Sequence, residues 1–242
     1  MKVLITGGAG FIGSHLADLL LAEGLSVLVV DNLCGGSLKN LKVAQTFPSF
    51  RFVQADVRDV SALHGLFEGI DWVFHLAALA DIVPSIERPR AYFETNVDGT
   101  FNVLEAAKQA GVKRFLYAAS SSCYGIPDQY PTPETTLAAP QYPYALTKYL
   151  GEQLVLHWAQ LYHLPAMSLR LFNVFGPRAR RKQSRPTPQA NAFLFKASPV
   201  YPPFYAYAGS HDRPENRGNE LARKRPVQRG SILAAHCGTQ SL

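Results

Sequence analysis

Three glycines spaced three residues apart, directly after an apolar run, most constrain how this chain can fold. Residues 2–6 (KVLIT) are predicted to form a buried strand, and residues 12–24 a helix. Gly7, Gly10 and Gly13 lie at the junction between these two elements. A turn this tight needs a residue that tolerates a positive φ, and a bound phosphate needs bare backbone amides at a helix N-terminus. The pattern therefore predicts a loop that binds the pyrophosphate of a dinucleotide.

Acidic residues at the ends of the next two predicted strands support this interpretation. Asp31 ends the second strand, 18 residues beyond the last glycine. A carboxylate there can accept hydrogen bonds from the adenosine ribose and would repel a 2′-phosphate, so NAD is favoured over NADP. Asp56 ends the third strand and is placed to accept a hydrogen bond from the adenine amino group, with Val57 beside the ring. An ordinary role in a strand-end turn stays open for both aspartates.

Apolar runs alternate with segments of helical period as far as residue 172. Strands that are apolar on both faces and separated by helices are typical of a parallel sheet covered on each side. Right-handed crossovers then predict an α/β, doubly wound, Rossmann-like fold. The predicted strands are residues 2–6, 26–31, 51–56, 71–77, 114–120 and 166–172, and the predicted helices are residues 12–24, 90–110 and 144–162.

Small residues follow the fourth predicted strand, at the carboxyl edge of the sheet. Ala77, Ala78 and Ala80 lie where the close approach of a cofactor would demand small side chains. His75 lies inside the apolar strand itself, so we expect a half-buried sheet residue there and not a catalytic group.

A tyrosine and a lysine four residues apart are the candidates for the chemistry. Tyr144 and Lys148 share one face of a predicted helix. A phenol with a pKa of about 10 is a poor base, but a neighbouring ammonium, or a cationic nicotinamide, lowers that pKa by favouring the phenolate. Tyr144 is therefore predicted to accept the proton of an alcohol that is being oxidised. Ser120, Ser121 and Ser122 follow the fifth strand and offer hydroxyls beside that alcohol. Taken alone, each motif also fits a chance spacing or a plain loop.

Charge and composition divide the chain near residue 178. The formal net charge is +6, yet residues 1–178 contain 13 Lys+Arg and 15 Asp+Glu, whereas residues 179–242 contain 11 and 3, with seven prolines. The composition predicts a tail without regular structure, favoured over a compact second domain. Because the basic excess lies in this tail and accompanies no recognisable motif, a nucleic-acid partner is disfavoured.

The cysteines bear on compartment and metal binding. Cys34, Cys123 and Cys237 form no CxxC pair and no metal-ligand spacing, which predicts a reduced cytoplasmic setting and no bound metal. No segment is predicted to span a membrane, because the most apolar stretch, residues 16–30, is interrupted by charged residues.

Residues 1–178 resemble the extended short-chain dehydrogenase/reductase family, specifically its NAD-dependent nucleotide-sugar epimerases and dehydratases. The likeness is strongest to UDP-glucose and UDP-N-acetylglucosamine 4-epimerases. It implies a tightly held NAD that is regenerated in each turnover, a UDP-sugar substrate, and a homodimer formed through a four-helix bundle of the helices at residues 90–110 and 144–162. The matching stretches are TGGAGFIGSHL, DNL, ADVRD, HLAA, NVDGTFNVLEAA, SSSCYG, YPYALTK and LRLFNVFGPR.

The resemblance also implies a role for each matching residue. Ser120 would hydrogen-bond the reacting sugar oxygen, Tyr144 would act as the base, and Lys148 would be its partner on the nicotinamide ribose. Substrate contacts are expected from Ser85, Ser121, Ser122 and Asn173. With the alanines of the sheet edge, the cofactor-binding set is Gly7, Gly10, Phe11, Ile12, Gly13, Asp31, Asn32, Asp56, Val57, Ala77, Ala78, Ala80, Asn96, Tyr144, Lys148 and Phe172.

Two departures from the family pattern shape the functional hypothesis. The sugar dehydratases follow the catalytic Ser/Thr with an Asp-Glu pair, whereas this chain has Ser121 and Ser122, which favours a 4-epimerase working through a 4-keto intermediate. Nothing after Arg178 resembles the family's carboxyl-terminal substrate domain, so that domain is expected to be missing or replaced, for instance through a frameshift. A sugar decarboxylase or reductase, and a non-catalytic NAD-binding remnant, remain as alternatives.

Overall fold

A seven-stranded sheet forms the centre of the computed structural model, which describes residues 1–179 and the backbone of residues 194–197. The strand order is β3-β2-β1-β4-β5-β6-β7. From β1 the chain first adds strands on one side, β2 and then β3, and afterwards adds β4 and the later strands on the other side of β1. The first six strands pair in parallel, which confirms the predicted doubly wound α/β fold. The strands are β1 (Lys2–Thr6), β2 (Ser26–Asp31), β3 (Phe50–Gln54), β4 (Trp72–His75), β5 (Arg114–Ser120), β6 (Ala166–Leu171) and β7 (Leu194–Ala197).

The seventh strand lies within the predicted tail. It pairs antiparallel with β6, with Leu169 opposite Phe195. The described residues all belong to Met1–Ala208, the first of two units into which the chain divides. The remaining prediction for residues 179–242, a tail without regular structure, lies outside the described residues.

The helices cover both faces of the sheet and match the three predicted ones closely. Residues 89–109 are helical, as predicted for about 90–110, but the turn at Glu94–Asp98 is a π-helix that the sequence did not predict. The wide turn leaves the Asn96 carbonyl to accept a hydrogen bond from the Thr100 hydroxyl, at 2.7 Å. The α-helices are α1 (Phe11–Ala22), α2 (Val60–Leu63), α3 (Ile82–Glu87), α4 (Pro89–Phe93), α5 (Gly99–Gln109) and α6 (Pro143–Leu161). Within the described residues, no helix is long and apolar enough to cross a bilayer.

The side chains of β1 alternate between two apolar layers, one on each face of the sheet. Leu4 packs in the layer that contains α5 and α6, whereas Val3 and Ile5 pack in the layer under α1. All three side chains are fully buried. Burial of each such side chain stabilises the fold by roughly 1.5–3 kcal/mol, so the two layers fix the strand order that shapes the carboxyl edge.

A buried histidine joins three elements beneath that edge. His75 is fully buried, where the sequence predicted a half-buried residue. The Thr6 hydroxyl lies 2.6 Å from its Nδ1 and the Thr100 hydroxyl lies 2.9 Å from its Nε2. Because Thr100 donates its own proton to the Asn96 carbonyl, it must accept from Nε2–H. Burial disfavours a second proton on the ring, so the neutral ring accepts from Thr6 at Nδ1 and ties β1 and β4 to α5.

This neutral ring predicts a pH-dependent loss of stability. Burial lowers the pKa of His75 to about 3, from 6.5 for an unperturbed histidine. Between those values the unfolded chain binds a proton that the folded chain does not, so stability falls as the pH drops from 6.5 and is unaffected above it. We expect His75 to contribute a slope approaching about 1.4 kcal/mol per pH unit. Urea unfolding from pH 7 to 4 measures it, and His75→Gln should flatten the curve. His64→Gln, at an exposed position, should not, and equal slopes for both variants would contradict the assignment.

Candidate active site

The loop between β1 and α1 is packed too tightly for any residue but glycine at two positions. Gly7 has φ +70°, and its amide donates to the Val30 carbonyl at 2.8 Å. A Cβ atom on Gly7 would lie 2.6 Å from the Ala77 nitrogen, and one on Gly13 would lie 2.6 Å from the Gly7 oxygen. Gly10 is the N-cap of α1, where no side chain of the described residues caps the helix. The first-turn amides therefore stay available to an anion, and the loop fits a pyrophosphate.

Asp31 connects the end of β2 to this loop. The carboxylate is 7% exposed and accepts hydrogen bonds from the amides of Ala9, at 3.0 Å, and Leu33, at 2.7 Å. Burial raises the pKa of Asp31, and the two backbone hydrogen bonds oppose that rise. Each carboxylate oxygen keeps a second lone pair, so the group still has acceptor capacity for a ribose.

Asp56 lies beside Asn32, so the structure brings together two residues of the predicted cofactor-binding set. The Asn32 side-chain nitrogen donates to Asp56 at 2.8 Å, and the Arg58 guanidinium contacts both carboxylate oxygens at 3.0 and 2.8 Å. Hydrogen bonding from Arg58 holds the pKa of Asp56 well below its usual range. Val57 is only 4% exposed and packs in the core, so little of its side chain could face an adenine ring. Contacts with adenine stay a prediction for both residues.

The other predicted cofactor contacts differ in exposure. Ala77 and Ala78 are partly buried, and Ala80 is exposed at the same edge. The remaining residues of the set follow the glycine loop and β6: Phe11 and Phe172 are partly buried, and Ile12 is 37% exposed.

The segment after β6 returns to α1. The Pro177 carbonyl lies 2.9 Å from His15 Nε2, and Arg178 forms a 2.6 Å ion pair with Asp18. These contacts place the segment against the helix whose N-terminus forms the candidate phosphate site.

Asn96 holds the loop after β4 against α6. Its side-chain oxygen accepts from the Leu79 amide at 2.8 Å, and its nitrogen donates to the Leu79 carbonyl and the Thr147 hydroxyl, both at 3.0 Å. The residue is fully buried. This geometry is that of a residue that buttresses the candidate site, and the π-helix brings the side chain to its partners.

Ser120 and Tyr144 are brought together at the end of β5. The Ser120 hydroxyl accepts from the amide and hydroxyl of Ser122, at 3.2 and 2.8 Å. Burial raises the pKa of Tyr144 to about 12, although the neighbouring Ser120 hydroxyl opposes the rise. The prediction that neighbouring Lys148 lowers this pKa is therefore wrong for the chain by itself, because desolvation of the phenolate outweighs every favourable contact.

Lys148 lies one helical turn after Tyr144, as predicted, but its ammonium has another neighbour. The Nζ atom lies 4.2 Å from the centre of the Tyr117 ring. Lys148 is 3% exposed, and burial lowers its pKa to about 8. No role was predicted for Tyr117.

The predicted substrate contacts are not all presented to a ligand. Ser85 is fully buried, and its hydroxyl donates to the Ile82 carbonyl at 2.6 Å within α3. Its predicted substrate contact is not supported, because that hydroxyl completes a helical turn. Ser121 and Ser122 are partly buried beside Ser120, and Asn173 is exposed after β6.

A buried ion pair behind the site was missed by the sequence analysis. Glu152, fully buried on α6, contacts Arg170 on β6 through two hydrogen bonds of 2.9 and 2.6 Å, and Ser168 donates to it at 3.1 Å. The sequence did contain a signal for this pair. Ser168 and Arg170 are polar residues two apart in an apolar strand, so both lie on the same face of β6.

Arg170 also reaches the serine loop. Its guanidinium carbon lies 4.4 Å from the centre of the Tyr124 ring. Tyr124 ends the short 3-10 helix Ser121–Tyr124, which begins directly after Ser120. The ion pair therefore braces the segment that carries the candidate catalytic serine.

Breaking one half of this pair should be far more damaging than removing both charges. Arg170→Met would leave Glu152 buried without its cation, and we expect a loss on the order of 3–5 kcal/mol in unfolding free energy. Adding Glu152→Gln should recover much of it, because no unpaired charge remains. Urea denaturation measures both variants. Arg90→Met, which breaks an exposed ion pair with Glu94, should change stability little. A loss for Arg170→Met no larger than for this control would contradict the bracing role.

Comparisons with known proteins agree with this geometry. Residues 3–199 match the NAD dependent epimerase/dehydratase family. The UDP-glucose 4-epimerase of Lacticaseibacillus casei is 39% identical over 179 residues, which are 73% of this chain and 52% of that protein. The chain thus spans about half the length of this curated relative.

Solved structures give the same result. A UDP-glucose 4-epimerase from Thermus thermophilus in complex with NAD is 39% identical, with a TM-score of 0.69, covering 74% of this chain and 58% of that one. The dTDP-glucose 4,6-dehydratase DesIV from Streptomyces venezuelae is 34% identical, with a TM-score of 0.72, covering 75% and 59%. By fold, site geometry and these matches, the chain belongs to the NAD dependent epimerase/dehydratase family.

Proposed function

We propose that this chain binds NAD and provides the reacting groups of a UDP-sugar 4-epimerase. The observation that carries the proposal is that Ser120, at the end of β5, and Tyr144, in the first turn of α6, lie beside each other at the same sheet edge as the glycine loop. A hydroxyl pair beside a dinucleotide site is what oxidation of a secondary alcohol requires.

The residues present fit NAD, as the cradle that a Cβ atom would fill indicates. The first-turn amides of α1, from Phe11 to Gly13, would hold the pyrophosphate. Asp31 and Asn32 would contact the adenosine ribose, and Lys148 would contact the second ribose. The buried Asp31 carboxylate would repel a 2′-phosphate, which supports NAD over NADP. When bound, NAD would supply reversible two-electron oxidation of the sugar carbon.

Tyr144 would exchange a proton with the sugar hydroxyl, and Ser120 would orient that hydroxyl. With a pKa of about 12, the phenol keeps its proton at neutral pH, so its role as a base requires a positive charge nearby. Among the described residues, Lys148, one turn along α6, is the cation best placed to supply it.

Epimerisation is favoured over dehydration by the residues beside Ser120. Removal of water from a sugar needs an acid and a base, and Ser121 and Ser122 carry no carboxylate. We therefore propose substrates of the UDP-glucose or UDP-N-acetylglucosamine type. The fully buried Ser85, whose hydroxyl is not presented to a ligand, favours a second candidate, an NAD-binding chain that does not turn over sugar.

Cofactor and substrate measurements on the whole chain separate these candidates. We expect the purified chain to bind NAD by calorimetry and to interconvert UDP-glucose and UDP-galactose. Tyr144→Phe should retain NAD and lose activity by about 100-fold or more, because proton transfer is removed. Tyr149→Phe makes the same change on the same helix and should have little effect. NAD binding without sugar conversion in the unmutated chain would favour the second candidate, and full activity of Tyr144→Phe would overturn the assigned base.

We also propose that two copies pair through α4, α5 and α6. Large apolar side chains are exposed on these helices, among them Phe93, Phe101, Leu146 and Leu161, at 42–54%. Phe101 contacts the ring of Trp158 at 5.4 Å between centroids, so the exposed residues continue from α5 onto α6. A surface of this kind marks an interaction site.

The pairing predicts the effect of a charge at the centre of that surface. Phe101→Glu should convert a dimer to a monomer in light scattering coupled to size-exclusion chromatography, because it would bury an unpaired charge. Leu19→Glu, an exposed apolar position on α1, should leave the mass unchanged. A monomeric unmutated chain, or a dimeric Phe101→Glu variant, would contradict the proposal.

A cytoplasmic location is part of the same proposal. Cys34 and Cys123, the cysteines within the described residues, are both free thiols. Free thiols are usual in a reducing compartment, where the nucleotide-sugar substrate would also be available.

A further inference from the structure

The ammonium of Lys148 has a specific aromatic neighbour. Tyr117, in the middle of β5, is fully buried, and its ring centre lies 4.2 Å from the Lys148 nitrogen. An ammonium within about 6 Å of an aromatic centroid is attracted by the negative face of the ring, and the attraction strengthens when water is excluded.

Several contacts fix the Tyr117 ring in place. His75 stacks against it with 5.7 Å between ring centres and an interplanar angle of 30°. The Tyr117 hydroxyl lies 3.4 Å from the Lys148 carbonyl oxygen. A Cβ atom on Gly151 would overlap that hydroxyl, so the glycine lets α6 approach the ring. Ring and helix are therefore held together independently of the lysine side chain.

The other groups near Lys148 are neutral or already paired, so they compete little with the Tyr117 ring for the ammonium. Burial raises the pKa of Tyr117 well above its usual value, so the phenol is neutral and offers a π face, not a negative charge. Glu152, one turn along α6, is already paired with Arg170, and His75 is a neutral ring. Cys123 and Tyr144 also lie nearby, and burial raises the pKa of each.

We propose that Tyr117 is a positioning residue: the face of its buried ring holds the Lys148 ammonium, charged and in place, beneath the candidate active site. For its functional meaning the inference rests on the proposed role of Lys148 at the second ribose of NAD. Its physical content, an electrostatic attraction between ring and ammonium, stands without that role.

A series of near-isosteric rings tests this attraction. Phenylalanine and its singly, triply and fully fluorinated analogues at position 117 preserve the shape of the ring while its face loses negative potential. The titration of Lys148 is followed by NMR in protein labelled at the lysine Cε, with Lys148→Met identifying the resonance. Lys148 in the unmutated chain should titrate at about 8, with Tyr117→Phe close to it. Full fluorination at position 117 should lower the pKa of Lys148 by about one pH unit or more, and partial fluorination should lower it by less.

A matched control lies two residues earlier on the same strand. Phe115 is also fully buried, and its ring contacts His75 at 6.1 Å between centroids. Full fluorination there disturbs the same core by the same amount but should leave the Lys148 titration unchanged. Equal shifts at the two positions would overturn the inference, because the effect would then be one of packing.

NAD affinity, measured on the same proteins, separates the inference from the proposed function. A Lys148 titration that stays constant along the fluorinated series overturns the positioning role, whatever happens to NAD. A titration that shifts in steps supports it. If NAD affinity at pH 8 weakens along the same series, both the positioning role and the ribose contact are supported. If NAD affinity stays constant while the titration shifts, the proposed contact fails and the positioning role stands.

Discussion

The rest of the site depends on one constraint, the close packing of two backbone segments between β1 and β4, where the strand order of the sheet reverses. The loop after β1 lies so near the start of the loop after β4 that Gly7 has no room for a side chain. The Gly7 amide also reaches across to the Val30 carbonyl at the end of β2. Three strand ends are thus drawn to one point, with the α1 N-terminus over it. Asp31 strengthens this junction, because its carboxylate is tied to the same loop through Ala9.

Behind that edge, buried polar groups fix the relative positions of strands and helices more specifically than apolar packing alone would. The His75 ring joins the ends of β1 and β4 to α5, and the Glu152–Arg170 pair joins α6 to β6 and to the serine loop. Buried polar groups lower stability unless every partner is present, so such networks define a unique arrangement. Here both networks end within a few residues of Asn96 or Ser120, next to the candidate site.

The sequence was sufficient for the features that depend on local pattern. The six parallel strands, α1 and α6 follow from apolar runs, helical period and glycines, and their bounds agree with the structure within three residues. The π-helix at Glu94–Asp98 could not be foreseen, because it forms to bring Asn96 to partners 17 and 51 residues away. The neighbour of the Lys148 ammonium, and the inward turn of Ser85, likewise depend on which elements meet in three dimensions.

The raised pKa of Tyr144 at first argues against its proposed role as a base. The same burial, however, makes the acidity of the phenol sensitive to any charge placed nearby. In a site with little water, a charge acts on its neighbours far more strongly than it would at the surface. A phenol that is inert in the chain by itself can therefore become a base when a cation is placed near it, and only then. Lys148 lies close by, with its charge directed to the Tyr117 ring. A bound ribose that contacts the ammonium held over that ring would link occupation of the cofactor site to the acidity of the reacting phenol.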